Sequence, residues 1–169
     1  MGSEVHECHL VCGPPAAGKT RYARVLADRL GACLLDSDQV TERLVRAGLL
    51  LAGRDPDDRD SVAYKEAYRE PVYETLFELA REHLPRGPVI IVGPFTREGG
   101  EPDGLAGLEG KVGQNVIAHF VWCDPDERKR RIEMRGETRD LPKLADWDGY
   151  LTSCREDRPC WPHRFVDTT

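Results

Sequence analysis

The sequence predicts an α/β fold: a three-layer sandwich with helices on both faces of a five-stranded parallel sheet. Short apolar runs alternate along the chain with longer amphipathic stretches, the pattern of strands joined by helical crossovers. The run at 88–95 is apolar almost throughout, as befits a strand covered on both faces. With 169 residues, 40% of them apolar, the chain suits one domain spanning 1–169.

Residues 5–12 form the first strand. A helix over 18–30 follows, with Tyr22, Val25, Leu26 and Leu30 on one face at helical spacing. Residues 32–35 form a second, short strand, and 38–50 a helix carrying Val40, Leu44, Val45 and Leu49. A polar loop at 53–60 leads into a long helix over about 61–84, where Pro71 is expected to kink the helix or start a new segment. After the third strand at 88–95, residues 97 to about 113 are rich in Gly and Glu and predict a loop. The fourth strand is 116–122. A strongly charged helix covers 125–136 and another covers 142–154, beginning near Pro142, a suitable first-turn residue. The last short strand is 164–167.

Composition narrows the function. No stretch approaches the roughly 18 uninterrupted apolar residues of a membrane span. The first residues lack a basic region followed by an apolar run, so the expectation is a soluble, cytoplasmic protein. A formal charge of −6 argues against a long polyanion such as nucleic acid as partner. A local basic cluster can still hold one small phosphate compound. Cysteines stand at 8, 12, 33, 123, 154 and 160; the first four lie in apolar strand-like segments and read as small core residues in a reducing compartment. His6, Cys8, His9 and Cys12 superficially suggest zinc, but strand residues an odd number apart point to opposite faces, and no standard ligand spacing is present.

The sharpest motif is Gly13-Pro14-Pro15-Ala16-Ala17-Gly18-Lys19-Thr20, a full match to G-x-x-x-x-G-K-[ST]. Backbone N–H groups turned inward hold a triphosphate, which calls for glycine dihedrals, and the following helix presents its positive end to the phosphates. Lys19 supplies a cation to the β- and γ-phosphates, and Thr20 offers a hydroxyl to Mg²⁺. An apolar strand before the motif and an amphipathic helix after it argue against a chance match. The motif alone does not separate a kinase from an ATPase or GTPase.

Asp36-Ser37-Asp38 ends the second strand, on the side of the sheet that lines the ligand crevice in doubly wound folds. Asp38 can address an acceptor hydroxyl as a base while Asp36 faces the metal or its waters; the blander reading is that Asp38 caps the next helix. The segment 124–140 carries Arg128, Arg131 and Arg135 at helical spacing, with Gly136 ending the helix. Cations on a mobile lid over about 128–142 would stabilise a transferring phosphoryl group and exclude water. The alternative is a solvated charged helix with Glu127 and Arg131 as an i,i+4 pair.

Through these three elements the chain resembles the small P-loop kinases that include polynucleotide 5′-kinase, shikimate kinase, gluconate kinase and chloramphenicol phosphotransferase. It is most similar to the polynucleotide-kinase-like branch of AAA-type P-loop proteins, over nearly the whole chain. The resemblance implies strand order 2-3-1-4-5, ATP and Mg²⁺ as cofactors, and Asp38 as general base. It also implies Lys19 and Thr20 at the nucleotide and Arg131 with Arg135 as the lid pair. Two departures stand out. The similar kinases carry an Asp near Gly93-Pro94-Phe95-Thr96-Arg97, and this chain has none there. Where the polynucleotide pattern sets an Arg soon after the base, this chain has Thr41 and Glu42.

Thr96 and Arg97 are candidate acceptor contacts or a plain turn. Arg54, Arg59, Tyr64 and Lys65 are either an acceptor clamp or a charged surface loop. Trp147, Tyr150 and Trp161 read as packing aromatics. The sequence thus points to transfer of the ATP γ-phosphoryl group to a hydroxyl of a small molecule of antibiotic, sugar or nucleoside type. Its alternatives are a polynucleotide 5′-hydroxyl kinase and a nucleotide-binding regulatory ATPase.

Overall fold

The computed structural model describes residues 6–59, 61–153 and 158–169. Five strands, β1 (Cys8–Cys12), β2 (Cys33–Asp36), β3 (Val89–Val92), β4 (Val116–Trp122) and β5 (Arg164–Asp167), form one sheet. Its order is β2-β3-β1-β4-β5 and every pairing is parallel. Leu10 stands beside Ile91 on one side and Ala118 on the other, so β1 is central. The chain leaves its carboxyl end between β3 and β4, at the topological switch point where doubly wound sheets open a crevice.

The helices are α1 (Lys19–Leu30), α2 (Ser37–Leu51), α3 (Val62–His83), α4 (Thr96–Gly99), α5 (Gly104–Val112), α6 (Pro125–Arg135), α7 (Leu141–Ala145) and α8 (Trp147–Ser153), with a 3₁₀ turn at Thr138–Asp140 before α7. Strand alternation divides the core. Leu10, Ile91 and Phe120 face Leu76 and Phe77 of α3 and Leu108 of α5, whereas Val11, Ile90 and Val121 face Ala23, Leu26 and Ala27 of α1. Cys8 and Cys12 belong to the first cluster, where burial pushes both thiols up to about 12.

Three expectations are corrected. Helix α3 runs through Pro71 as one element, so no new segment starts there. The predicted loop after residue 97 contains α4 and α5, because Leu105, Leu108 and Val112 recur at helical spacing and pack on the core despite Gly104, Gly107 and Gly110. The helix predicted over 142–154 is divided into α7 and α8 at Asp146, whose backbone leaves the helical region (φ −139°, ψ 73°); position 154 lies outside the described residues.

On the α1 face a buried polar chain crosses the sheet. The Tyr22 hydroxyl meets His119 Nδ1 at 2.8 Å, His119 Nε2 meets His9 Nδ1 at 3.0 Å, and His9 Nε2 meets Glu7 at 3.3 Å. Burial, with smaller pushes from His9 and Arg164, lowers the His119 pKa to about 4; burial also lowers that of His9. His119 is therefore neutral in the folded chain at pH 5, whereas an unfolded chain with a pKa of 6.5 there takes up a proton. Stability from this residue is full above pH 6.5 and falls as the pH drops toward 4, by about 2 kcal/mol between pH 7 and pH 5. Urea unfolding at the two pH values should show that loss, and His119→Gln should flatten it.

Candidate active site

The carboxyl edge of the sheet carries a cleft of about 1000 Å³, walled by the Gly13–Thr20 loop, the start of α2, the first half of α3, and the segments from α6 to α8. Gly13 has φ +137°, and a Cβ there would lie 2.1 Å from the carbonyl oxygen of Val121. Gly18 has φ +89°. Left-handed backbone is not confined to glycine, however: Ala16 has φ +60°. Pro15, Ala16, Gly18, Lys19 and Thr20 line the cleft. Gly13 and Pro14 lie behind it, and Ala17 is wholly buried. Lys19 Nζ curls over the loop, donating to the carbonyls of Gly13 (2.9 Å) and Pro14 (2.8 Å).

Asp36 is buried, and its two oxygens do different work. The Thr20 hydroxyl donates to one at 2.6 Å, and the backbone N–H of Asp38 donates to the other at 3.0 Å. Asp36, not Asp38, is thus the N-cap of α2. Asp38 sits one turn-step further, exposed in the cleft, and its carboxylate makes no hydrogen bond among the described residues. Asp36→Ala removes a cap and leaves the Thr20 hydroxyl without its acceptor. Urea titration should show a loss of about 1–3 kcal/mol.

Across from Asp38 stand Tyr64 and Tyr68, stacked with centroids 5.6 Å apart. Burial raises the Tyr64 pKa; the Arg59 guanidinium opposes this and the carboxylates of Asp38, Glu42 and Asp58 add to it. Arg59 lies over the Tyr64 ring at 5.3 Å and donates to Glu42 at 2.9 Å. Arg69 crosses the Tyr73 ring at 5.0 Å and donates to Glu98 at 2.7 Å; Tyr73 in turn stacks on Phe95 at 4.7 Å. Thr96 and Lys65 line the cleft, but Arg54 and Arg97 do not: both are exposed outside it, Arg97 beside Glu98 at 3.9 Å.

On the opposite wall, Arg131 donates through Nε to Glu127 at 2.9 Å, as the i,i+4 reading of this helix expected. Hydrogen bonds from Arg130 and Arg131 hold the Glu127 carboxyl down at about 2. The other end of Arg131 meets Thr168, so this cation is tied to the phosphate-loop wall rather than carried on a free arm. Arg135 binds Asp140 through Nε at 2.9 Å and through Nη2; Asp140 is buried and also accepts from Lys143 at 3.3 Å. Arg128 is wholly buried, reaching the Pro15 carbonyl at 3.5 Å and crossing the Trp147 ring at 5.8 Å. Trp147 and Trp161 are packing residues as expected, whereas Tyr150 lines the cleft. Tyr68, Arg69, Tyr73 and Lys143 were missed. The i,i+4 spacing of Tyr64, Tyr68 and of Lys65, Arg69 was the available signal.

An AAA-domain family model matches residues 8–156 of this chain. The chain belongs to that family. A 67-residue segment is 42% identical to a shikimate kinase of Thermobifida fusca (strain YX), covering 40% of this chain and 37% of that protein, little more than a third of its length. This AAA-domain chain also shares its fold with solved kinases. A sugar kinase from Janibacter sp. HTCC2649 has a TM-score of 0.62 at 16% identity, covering 96% of this chain and 85% of that one. The Mycobacterium tuberculosis APS kinase CysC, solved with AMPPNP and APS, has a TM-score of 0.56 at 18% identity, covering 96% and 88%. The parallel sheet in the order β2-β3-β1-β4-β5 with its helices is a P-loop NTPase α/β fold.

Proposed function

We propose that this protein transfers the γ-phosphoryl group of ATP to a hydroxyl of a small molecule of antibiotic, sugar or nucleoside type. The observation that carries the reading is the placing of Asp38. Its carboxylate is exposed in the cleft, is released from capping by Asp36, and lies on the same floor as Lys19 and Thr20. A kinase needs such a base beside the phosphate loop, and an ATPase without an acceptor does not.

In this reading the loop amides and the amino end of α1 hold the phosphates, and Lys19 swings from the Gly13 and Pro14 carbonyls to the β- and γ-oxygens. Thr20 and Asp36 would hold Mg²⁺. A hydroxyl and a carboxylate side by side are the hard oxygen donors such an ion takes; its remaining ligands would come from phosphates and water, and it would neutralise charge on the phosphates. Asp38 accepts the proton of the acceptor hydroxyl. Arg131 and Arg135, on the lid, face the charge that builds on the moving group. The acceptor lies between α2 and α3, against Tyr64 and Tyr68, with Thr96 at its edge. The stacked Tyr64 and Tyr68 rings in this wall would support a small ring-bearing alcohol.

Incubating the protein with γ-labelled ATP, Mg²⁺ and pooled hydroxylated metabolites tests this directly. Label should move into one organic fraction. Label appearing only as inorganic phosphate in every pool would sink the kinase reading.

A further inference from the structure

The structure assigns a role to Thr168: we propose that it is a positioning residue that fixes the Arg131 guanidinium against the phosphate loop. Thr168 follows β5, and its N–H donates to the Trp122 carbonyl at 3.0 Å, which extends the parallel pairing of β4 and β5 by one bond. That bond brings the side chain to the loop. The Thr168 hydroxyl donates to the Ala17 carbonyl at 2.6 Å. The same hydroxyl also lies 3.2 Å from the Trp122 carbonyl, but it has one proton, and the shorter contact to Ala17 takes it, which turns the oxygen lone pairs away from Ala17. Arg131 Nη1 donates to that same oxygen at 3.3 Å, and Arg131 Nη2 donates to the Thr168 backbone carbonyl.

The guanidinium is therefore held at three atoms: Nε by Glu127, Nη1 and Nη2 by Thr168. Its place is beside the loop. A Cβ built on Gly18 would lie 3.5 Å from the Thr168 hydroxyl and 3.7 Å from Arg131 Nη1. One side chain thus joins the last strand, the phosphate loop and the arginine-bearing helix. An arginine pinned in this way loses little rotamer freedom when an anion arrives, and its charge is aimed before use. The bond donated to Ala17 matters as much as the contact to Arg131, because it orients the lone pair that receives Nη1.

This inference rests on reading the cleft as a nucleotide site, and the test separates the two. Calorimetry on the full chain measures the affinity for the magnesium complexes of AMPPNP and of ADP; their ratio reports what the γ-phosphate gains. Thr168→Val, which keeps size and removes the hydroxyl, should lower that ratio about tenfold, the scale of a hydrogen bond to a charged group. Thr168→Ala, hydroxyl-free and smaller, should do the same should valine disturb folding. Thr168→Ser should restore the ratio to within about twofold, which a merely structural loss at the strand end would not predict. Arg131→Met should lower the ratio as well, and adding Thr168→Val to it should have little further effect, because both act through one guanidinium. An unchanged ratio in Thr168→Val, or additive losses in the double variant, overturns the proposal while leaving the nucleotide site standing. Wild-type protein that binds neither magnesium nucleotide overturns both.

Discussion

Asp38→Asn is expected to lower kcat for phosphoryl transfer by about 10²–10⁴-fold, the range of a lost general base, with MgATP affinity nearly kept. The structure makes this a clean substitution. Asp38 caps nothing, since Asp36 does so, and its carboxylate holds no hydrogen bond among the described residues. The fold should therefore be indifferent to the change, and the melting temperature should stay within a degree or two of the parent's. Asn keeps the shape and loses the proton-accepting charge. Initial rates with a responsive acceptor give kcat, and calorimetry gives the nucleotide affinity. Loss of ATP binding would place Asp38 at the nucleotide instead; undiminished kcat would remove it from the chemistry.

Gly13→Ala is expected to destabilise the protein by about 3–5 kcal/mol, combining backbone strain with overpacking. At φ +137° an alanine is strained by itself, and its methyl would stand 2.1 Å from the Val121 carbonyl oxygen. That oxygen belongs to central strand β4, which is paired on both sides and cannot retreat. The damage should spread to the phosphate loop that Gly13 launches. Denaturant titration should show the midpoint falling steeply, and MgATP binding should weaken in whatever fraction stays folded. A midpoint unchanged from the parent would mean that the loop leaves β1 by another path.

How much of this was legible in the sequence depended on the range of the forces involved. Strands and most helices were, because apolar periodicity is local and strong: Leu10 and Val11 announce two faces of one strand before any partner is known. The phosphate loop was legible because its geometry is written in eight consecutive residues. The loop predicted after residue 97 failed because Gly104, Gly107 and Gly110 depress helix propensity, while the core contacts that rescue α5 come from distant parts of the chain. The capping alternative weighed for Asp38 falls to Asp36, because the two are alike in type and only the helix start separates them. The layering of Arg69 on Tyr73 and Tyr73 on Phe95 joins α3 to the end of β3, and no local pattern encodes it. Arg54 and Arg97 looked equivalent to Arg59 as cations in a polar stretch; only tertiary placing brings Arg59 to the cleft.

Pro14 and Pro15 give the loop an uneven visibility. Neither carries an amide proton, so a proton–nitrogen spectrum is blank at both positions. The next five residues, Ala16 to Thr20, each supply one resonance, and four of them, Ala16, Gly18, Lys19 and Thr20, line the cleft where an anion would dock. Isotope labelling would thus turn the loop into a compact row of reporters. Slowed solvent exchange across that row on adding a nucleotide would trace occupancy residue by residue, with no catalytic turnover required.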